Sequence, residues 1–239
     1  MATLGPMAAP AADSAAQVGP GATGMPATAE LVYRTSATVR LAGMPMSLHA
    51  RTTTHWHTSG NQYEMSFHTD TVDFTQSSSG RLDDDGALLP ARYDEKRPFH
   101  DVESVFIDWA HGSIRFGSAA PVAAPEAGTQ DRASLQFELV RLLQRHPERM
   151  LPGSSYAVKL IGPHDIDPWT FLVSEEAAVE TGRGPLRATR FSARRMAGGV
   201  EETMDVWLSE SVRWMPIRIR IVDRKQSVID SVLQQAQFP

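Results

Sequence analysis

The amino-acid sequence predicts a mainly β fold, a strongly curved antiparallel meander or incomplete barrel with one principal helix. Three observations lead there. Apolar residues recur at every second position through much of the chain, clusters of turn-forming residues interrupt them at short intervals, and one central stretch changes to helical spacing.

The alternation begins in "LVYRTSATVR", where Leu31, Tyr33, Thr35, Ala37 and Val39 share one face of an extended chain. In "MSLHARTTTHW" the shared face carries Met46, Leu48, Ala50, Thr52, Thr54 and Trp56. "TSGN" makes a turn, after which Tyr63, Met65 and Phe67 resume the pattern. A hairpin that sets Trp56 opposite Tyr63 also sets Thr54 opposite Met65 and Thr52 opposite Phe67, so its two apolar faces agree. Further turn signals stand at "SSSG", "DDDG", "AHG", "GRGP", "AGG" and "DRKQ". Near the end, "WMPIRIRIV" alternates Ile217, Ile219 and Ile221 with Arg218 and Arg220, a strand with one buried and one solvated face. Pro216 fits at its first position, where the missing amide costs least. No repeat of fixed period is found, which disfavours a propeller or solenoid.

The helix is read in "GTQDRASLQFELVRLLQRHP". Leu135, Leu139, Leu142 and Leu143 fall at helical spacing, Arg141 and Arg145 suit the C-terminal end, and Pro147 stops the run, giving a helix over about 131–146. The polar cluster Gln130, Asp131, Arg132 and Ser134 ahead of it invites a catalytic reading. Capping of the exposed helix amides by Asp131 or Thr129 is the favoured one, because an acceptor with negative charge is stabilised there without any chemistry. The leucine stripe needs an apolar surface to cover, and the strand faces bearing Trp56, Tyr63, Phe67, Ile217 and Ile219 supply one. Together with Leu135 and Leu139, these are the candidate lining of an apolar cavity on the concave side of the sheet.

Composition narrows the function classes. With 41% hydrophobic and 21% charged residues the chain suits a globular domain, and no apolar run approaches the roughly 20 residues of a membrane-spanning helix. A net charge of −5 argues against nucleic acid as a partner, despite the local run Arg187, Arg190, Arg194 and Arg195. The absence of cysteine excludes disulfides, thiolate metal sites, cysteine nucleophiles and a lipid anchor on an N-terminal cysteine. Residues 1–28 contain no Lys or Arg and are broken repeatedly by Pro and Gly, so they do not form a signal peptide and are expected to be a disordered linker before a single domain over 29–239. Because a linker joins something, the natural chain is expected to begin further upstream.

Candidate chemical sites are few. His49, Arg51, Thr53, His55 and His57 lie on the face opposite Trp56, and the hairpin register above brings Glu64 across from His55. Two histidines and a carboxylate can hold zinc, but with no fourth ligand visible a solvated strand face is the favoured reading. "DDDG" at residues 83–86 lacks the alternating oxygen ligands and distant Glu of an EF-hand and reads as a polar turn. GxSxG, GxGxxG, HExxH and phosphate-loop patterns are absent, although a Ser-His-Asp set can assemble in space without a local signature. No catalytic residue, metal or cofactor is therefore assigned, and a monomer is expected.

Taken in order, "LVYRTSATVRLAGMPM", "HWHTSGNQYEM", "SSSGRLDDDGALLPARYDEKR", "VFIDWAHGSIRF", "AGTQDRASLQFELVRLL", "DVWLSESVRWMPIRIRI" and "SVIDSVL" resemble the proteobacterial domain-of-unknown-function family 3108 over about residues 29–238. The most specific parts are "LLPARYDEKR", the Phe-x-Asp-Trp element at residues 106–109 and "GTQDRASLQFEL". The resemblance implies an envelope protein, exported or tethered by an N-terminal apolar segment followed by a Pro/Ala-rich linker, with no assigned activity. This sequence departs from the pattern by lacking that segment. A non-enzymatic envelope module that binds a lipid, an acyl chain or a hydrophobic partner segment in its concave face is the leading expectation. A hydrolase or metal-dependent enzyme using the polar sheet face or the Gln130–Asp131 loop, and a scaffold for protein contacts, remain as alternatives.

Overall fold

The structure, a computed structural model, describes residues 25–41 and 44–239. Its strands are β1 (Thr28–Leu41), β2 (Met44–Ser59), β3 (Gln62–Thr69), β4 (Phe74–Leu82), β5 (Leu88–Lys96), β6 (Glu103–Asp108), β7 (Ser113–Phe116), β8 (Gln130–Asp131), β9 (Ser155–Ile161), β10 (Ile166–Val173), β11 (Ala177–Thr181), β12 (Gly184–Ala197), β13 (Val200–Leu208), β14 (Pro216–Val222) and β15 (Val228–Gln237). The helix α1 (Leu135–Arg145) falls between β8 and β9. The strands form one curled sheet in the order β7-β6-β5-β4-β3-β2-β1-β15-β14-β13-β12-β10-β9-β8, with β11 added on β12. Every pairing in the curl is antiparallel except β8 with β9, and the sheet does not close into a barrel.

Residues 1–24 of the expected linker lie outside the described residues. Within its remainder Met25 is fully buried, and the Pro26 carbonyl accepts a 3.0 Å hydrogen bond from Trp56 Nε1, so packing starts ahead of residue 29. The β1, β2 and β3 faces alternate as the sequence predicts, but the β2–β3 register is two residues tighter. Trp56 pairs with Met65, Thr54 with Phe67 and Thr52 with Thr69. The cause is the turn, which uses only Gly60 and Asn61, with Gly60 at φ 60. Glycine adopts that backbone without a Cβ penalty as the first central residue of a two-residue hairpin. A shift of two leaves the faces unchanged, which is why side-chain alternation alone did not fix it. It does move Glu64 from His55 to His57.

The helix starts later than 131. Gln130 and Asp131 pair in parallel with Leu160 and Ile161, and the Arg132 amide continues this by donating to the Ile161 carbonyl at 3.1 Å. Thr129 is not a helix cap; its hydroxyl closes the preceding turn by accepting from the Glu126 amide at 2.9 Å. From Leu135 to Leu143 every residue of α1 is buried, so the helix is enclosed by the curl rather than laid against it. Phe137 stacks on Trp56 with ring centroids 4.7 Å apart, and Trp56 stacks in turn on Tyr63 at 5.7 Å. The two charges that enclosure carries inward neutralise each other: Arg141 donates to both Glu138 oxygens at 2.6 and 2.9 Å, and Glu138 also accepts from the Leu88 amide at 3.1 Å. Burying an ion pair without such bidentate contact would be strongly unfavourable.

Candidate functional site

The inward face of each strand changes along its length. At the end filled by α1 it carries Leu31 and Tyr33 on β1, Trp56 on β2, Tyr63 and Met65 on β3, Phe191 on β12 and Ile217 on β14, all buried against the helix core. Toward the other end the same faces carry Thr35, Thr52, Phe67 and Thr69, Arg195, and Ile219 and Ile221, and here they line a cavity of about 370 Å³. Leu160, Trp169, Met204 and Val206 add apolar wall, and the first turn of α1 contributes Leu135 and Gln136. Of the seven lining candidates from the sequence, Phe67, Leu135 and Ile219 are on the cavity wall. Trp56, Tyr63, Leu139 and Ile217 belong to the filled core instead, where ring and leucine side chains leave no space.

Two polar features face the cavity that strand alternation does not reveal. The first is a row of hydroxyls across four neighbouring strands: Ser231 to Thr35 at 2.8 Å, Thr35 to Thr52 at 2.8 Å and Thr52 to Thr69 at 3.0 Å. The second is Gln136, only 9% exposed, whose Oε1 is buried without a hydrogen-bond partner among the described residues. A buried acceptor left unpaired costs about 1–3 kcal/mol.

Around the mouth the charged groups are already paired. Arg195 lies 2.6 Å from Asp167 and 2.5 Å from Glu202, with its guanidinium 5.1 Å from the centre of the Trp169 ring. Arg132 pairs with Asp165 at 3.2 Å, and Arg224 with Asp167 and Glu202 at 3.0 and 3.1 Å. On the other side, Glu95 accepts from Tyr93 at 2.6 Å and from Gln76 at 2.9 Å and faces Arg97 at 3.6 Å. Burial and then the Glu95 charge push the Tyr93 phenol well above its ordinary value, keeping it a neutral donor.

The polar cluster at the helix start is structural in its contacts. Asp131 Oδ1 accepts from the Ala133 and Ser134 amides at 2.9 and 2.7 Å, closing the turn that leads into α1. Asp131 Oδ2 accepts from the Ser78 hydroxyl at 2.6 Å, which ties the helix start to β4. Since that bond uses the single Ser78 proton, Tyr63 is the donor in the 3.0 Å contact between Tyr63 Oη and Ser78 Oγ. Burial pushes the Asp131 carboxyl up to about 6, against the lowering by these hydrogen bonds. No histidine joins Ser78 and Asp131, because none of the eight is buried.

His55 and His57 are exposed on the face opposite Trp56. Each has an acidic residue across a strand boundary, Glu30 from His55 and Glu64 from His57, and among the described residues no group of three or more potential metal ligands forms. "DDDG" is a turn in which Asp83 Oδ1 accepts from the Asp85 and Ala87 amides at 2.9 and 2.8 Å. No helix among the described residues is long and apolar enough to cross a membrane.

The three most specific sequence elements meet across the gap in the sheet. Gln130 Nε2 donates to the Leu88 carbonyl at 2.8 Å while Glu138 takes the Leu88 amide, joining "GTQDRASLQFEL" to "LLPARY". Trp109 Nε1 donates to the Pro90 carbonyl at 2.7 Å, bringing in the Phe-x-Asp-Trp element. Residues 30–230 match the family model described as "Protein of unknown function (DUF3108)". No curated protein matches the chain. Among solved structures, a β-barrel-like protein of domain of unknown function DUF1849 from Brucella abortus aligns with a TM-score of 0.59 at 11% identity, covering 89% of this chain and 98% of the other. A DUF1329 family protein from Desulfovibrio piger aligns with a TM-score of 0.30 at 10% identity, over 90% and 87% of the two chains. A putative outer membrane lipoprotein-sorting protein domain from Vibrio parahaemolyticus gives 0.28 at 8% identity, over 88% and 85%. The first of these likenesses concerns the fold alone, and the two weaker ones carry no weight for function.

Proposed function

The chain belongs to the DUF3108 family of proteins of unknown function, and from that premise we propose that it is a non-enzymatic binding module of the cell envelope, taking the apolar part of an amphiphile into the open half of its curled sheet. The observation that carries this reading is the cavity itself. Its volume of about 370 Å³ falls within the roughly 300–1,000 Å³ of small-molecule sites, and its wall combines Phe67, Leu160, Met204 and Ile219 with a few oriented polar groups. Exposed apolar side chains support the same use. Met46, Phe99 and Met196 lie toward the end of the sheet where the cavity opens, 42%, 105% and 66% exposed, and such residues suit a surface where an apolar ligand is exchanged. The envelope location is the one the family resemblance implies.

Native mass spectrometry of the protein purified from an envelope fraction tests the proposal. A stoichiometric co-purified amphiphile is expected in the wild type, with loss of that mass in Ile219→Trp, whose indole would occupy the cavity. Wild-type protein without bound amphiphile, and unable to take up N-phenyl-1-naphthylamine in solution, would contradict the assignment.

A further inference from the structure

We propose that the β1–β2 hairpin pairs edge to edge with the same hairpin of a second copy of this chain, Ser47 against Ser47, forming a two-fold dimer joined at the open ends in place of the monomer expected from the sequence.

The hairpin reaches beyond its neighbour. β2 pairs with β1 over residues 44–57, whereas β3 covers the other side of β2 only over residues 52–59, and Asp70 ends that cover by exchanging bonds with Arg51 at 3.0 and 3.1 Å. Along residues 44–50, about 23 Å of strand, no strand pairs with this edge among the described residues. Backbone groups point to alternate sides along a strand. Thr58 donates to the Ala27 carbonyl on the β1 side and Arg51 bonds Asp70 on the β3 side, so the odd-numbered residues of β2 face the open edge. Ser47 and His49 each present an unpaired amide and carbonyl there, and Pro45 presents a carbonyl alone. Residues 44–50 carry no Lys, Arg, Asp or Glu and no bulge, the usual guards of an exposed edge.

This edge is its own complement in one antiparallel register. With Ser47 opposite Ser47 of the partner subunit, the two exchange both backbone bonds, and each His49 amide reaches the partner's Pro45 carbonyl. Only the His49 carbonyls are left to water. A register two residues nearer Arg51 would run the partner strand into Asp70, and one two residues nearer the tip would face Ser47 with the partner's Pro45, which has no amide to donate. The side chains match in the same register. Met46 meets the partner's Leu48, and Met44 meets the partner's Ala50, on the face that continues from Thr52 of the cavity wall. Met44 and Met46, 68% and 42% exposed, are thereby covered. The occupant is a second copy because this apolar and polar pattern reads the same in both directions from Ser47, as a two-fold interface requires.

Sedimentation velocity of the full chain over about 1–100 µM tests the pairing, since an interface this small is expected to have a micromolar Kd. The wild type should shift from monomer to dimer across that range. Ser47→Lys sets two like charges opposite each other on the solvated face and should weaken the dimer about tenfold or more, with the melting temperature unchanged. The register is read by disulfide trapping, because the chain has no cysteine of its own. In a glutathione redox buffer Ser47→Cys should cross-link at least about tenfold faster than His49→Cys: position 47 meets itself at about 5.5 Å between Cα atoms, whereas position 49 meets the partner's Pro45. A wild type that stays monomeric throughout, dimerisation indifferent to Ser47→Lys, or equal cross-linking at the two positions overturns the proposal. None of these outcomes bears on the cavity, so the binding reading is tested separately.

Discussion

The two ends of the curled sheet are built from the same strands but solve opposite problems. At the filled end, α1 supplies Phe137, Leu139 and Val140, each 0% exposed, to an interior already carrying Trp56 and Tyr63. At the open end, the strands continue beyond the helix, and nothing in the described chain covers their inward faces except the side chains around the mouth. The difference teaches that one alternating pattern can specify a solid core or a cavity, depending on whether a second element reaches it. Stability is concentrated in the first region, and the second is free to vary its chemistry.

The largest expected effect is at the filled end. Phe137→Ala removes the ring stacked on Trp56 and should cost about 3–5 kcal/mol in urea unfolding, the range for a buried aromatic whose site cannot collapse. A loss below about 1 kcal/mol would mean that the helix does not seal this end. Next is the pH dependence of Asp131. Burial raises its carboxyl from 3.8 to about 6, so the folded protein holds this proton more tightly than the unfolded chain does. Its contribution to stability is therefore greatest below pH 3.8, declines as pH rises to about 6, and is level above that. Within the window, wild type should lose about 1.4 kcal/mol per pH unit relative to Asp131→Asn, measured by unfolding at a series of pH values. Parallel curves for the two proteins would show that the carboxyl does not titrate there.

Smaller effects belong to the open end. Thr52→Val breaks two of the bonds in the hydroxyl row and should lower stability by about 1 kcal/mol. Ile219→Trp should change stability least, by less than about 1 kcal/mol, because the added volume enters existing space instead of a close-packed core. Reporter binding in this variant should nevertheless be abolished. A destabilisation near 3 kcal/mol would place Ile219 in a core as dense as that around Phe137 and erase the distinction between the ends.

How much of this was legible in the sequence follows from range. The faces of β1, β2, β3 and β14 could be read because alternation is local, and so could the leucine stripe of α1. The register could not, since Gly60 and Asn61 close the hairpin more tightly than "TSGN" alone implies. The pair Glu138 and Arg141 has the spacing of a solvated helix face, and only enclosure by strands on all sides makes it a buried ion pair. From sequence Asp131 reads as a cap of the helix amides, whereas it closes the turn just ahead of α1, whose N-cap residue Ser134 has no side-chain cap bond, and its bond to Ser78 joins positions far apart in the chain. The arginine and carboxylate groups at the mouth come from β5, β10, β12, β13 and the segments after β5, β8, β9 and β14, and no local pattern relates them. Gln136 gave no signal because one polar residue between Leu135 and Phe137 reads the same whether it faces water or the interior.

The adjacency of β1 and β15 has a consequence for the order in which the molecule is made. Glu30 stands opposite Gln237, and the Thr28 hydroxyl donates to the Pro239 carbonyl at 3.0 Å. During synthesis the strands from β1 to β7 emerge as one arm of the sheet and those from β9 to β14 as another, and β15 is the strand that joins them. Until it arrives, β1 and β14 are both open sheet edges, able to pair with another chain as readily as with their own. Pairings between positions so distant in the chain also close slowly. Nascent protein is accordingly most vulnerable to misassociation just before β15 is released, a hazard set by the wiring of the sheet and untouched by the stability of the finished fold.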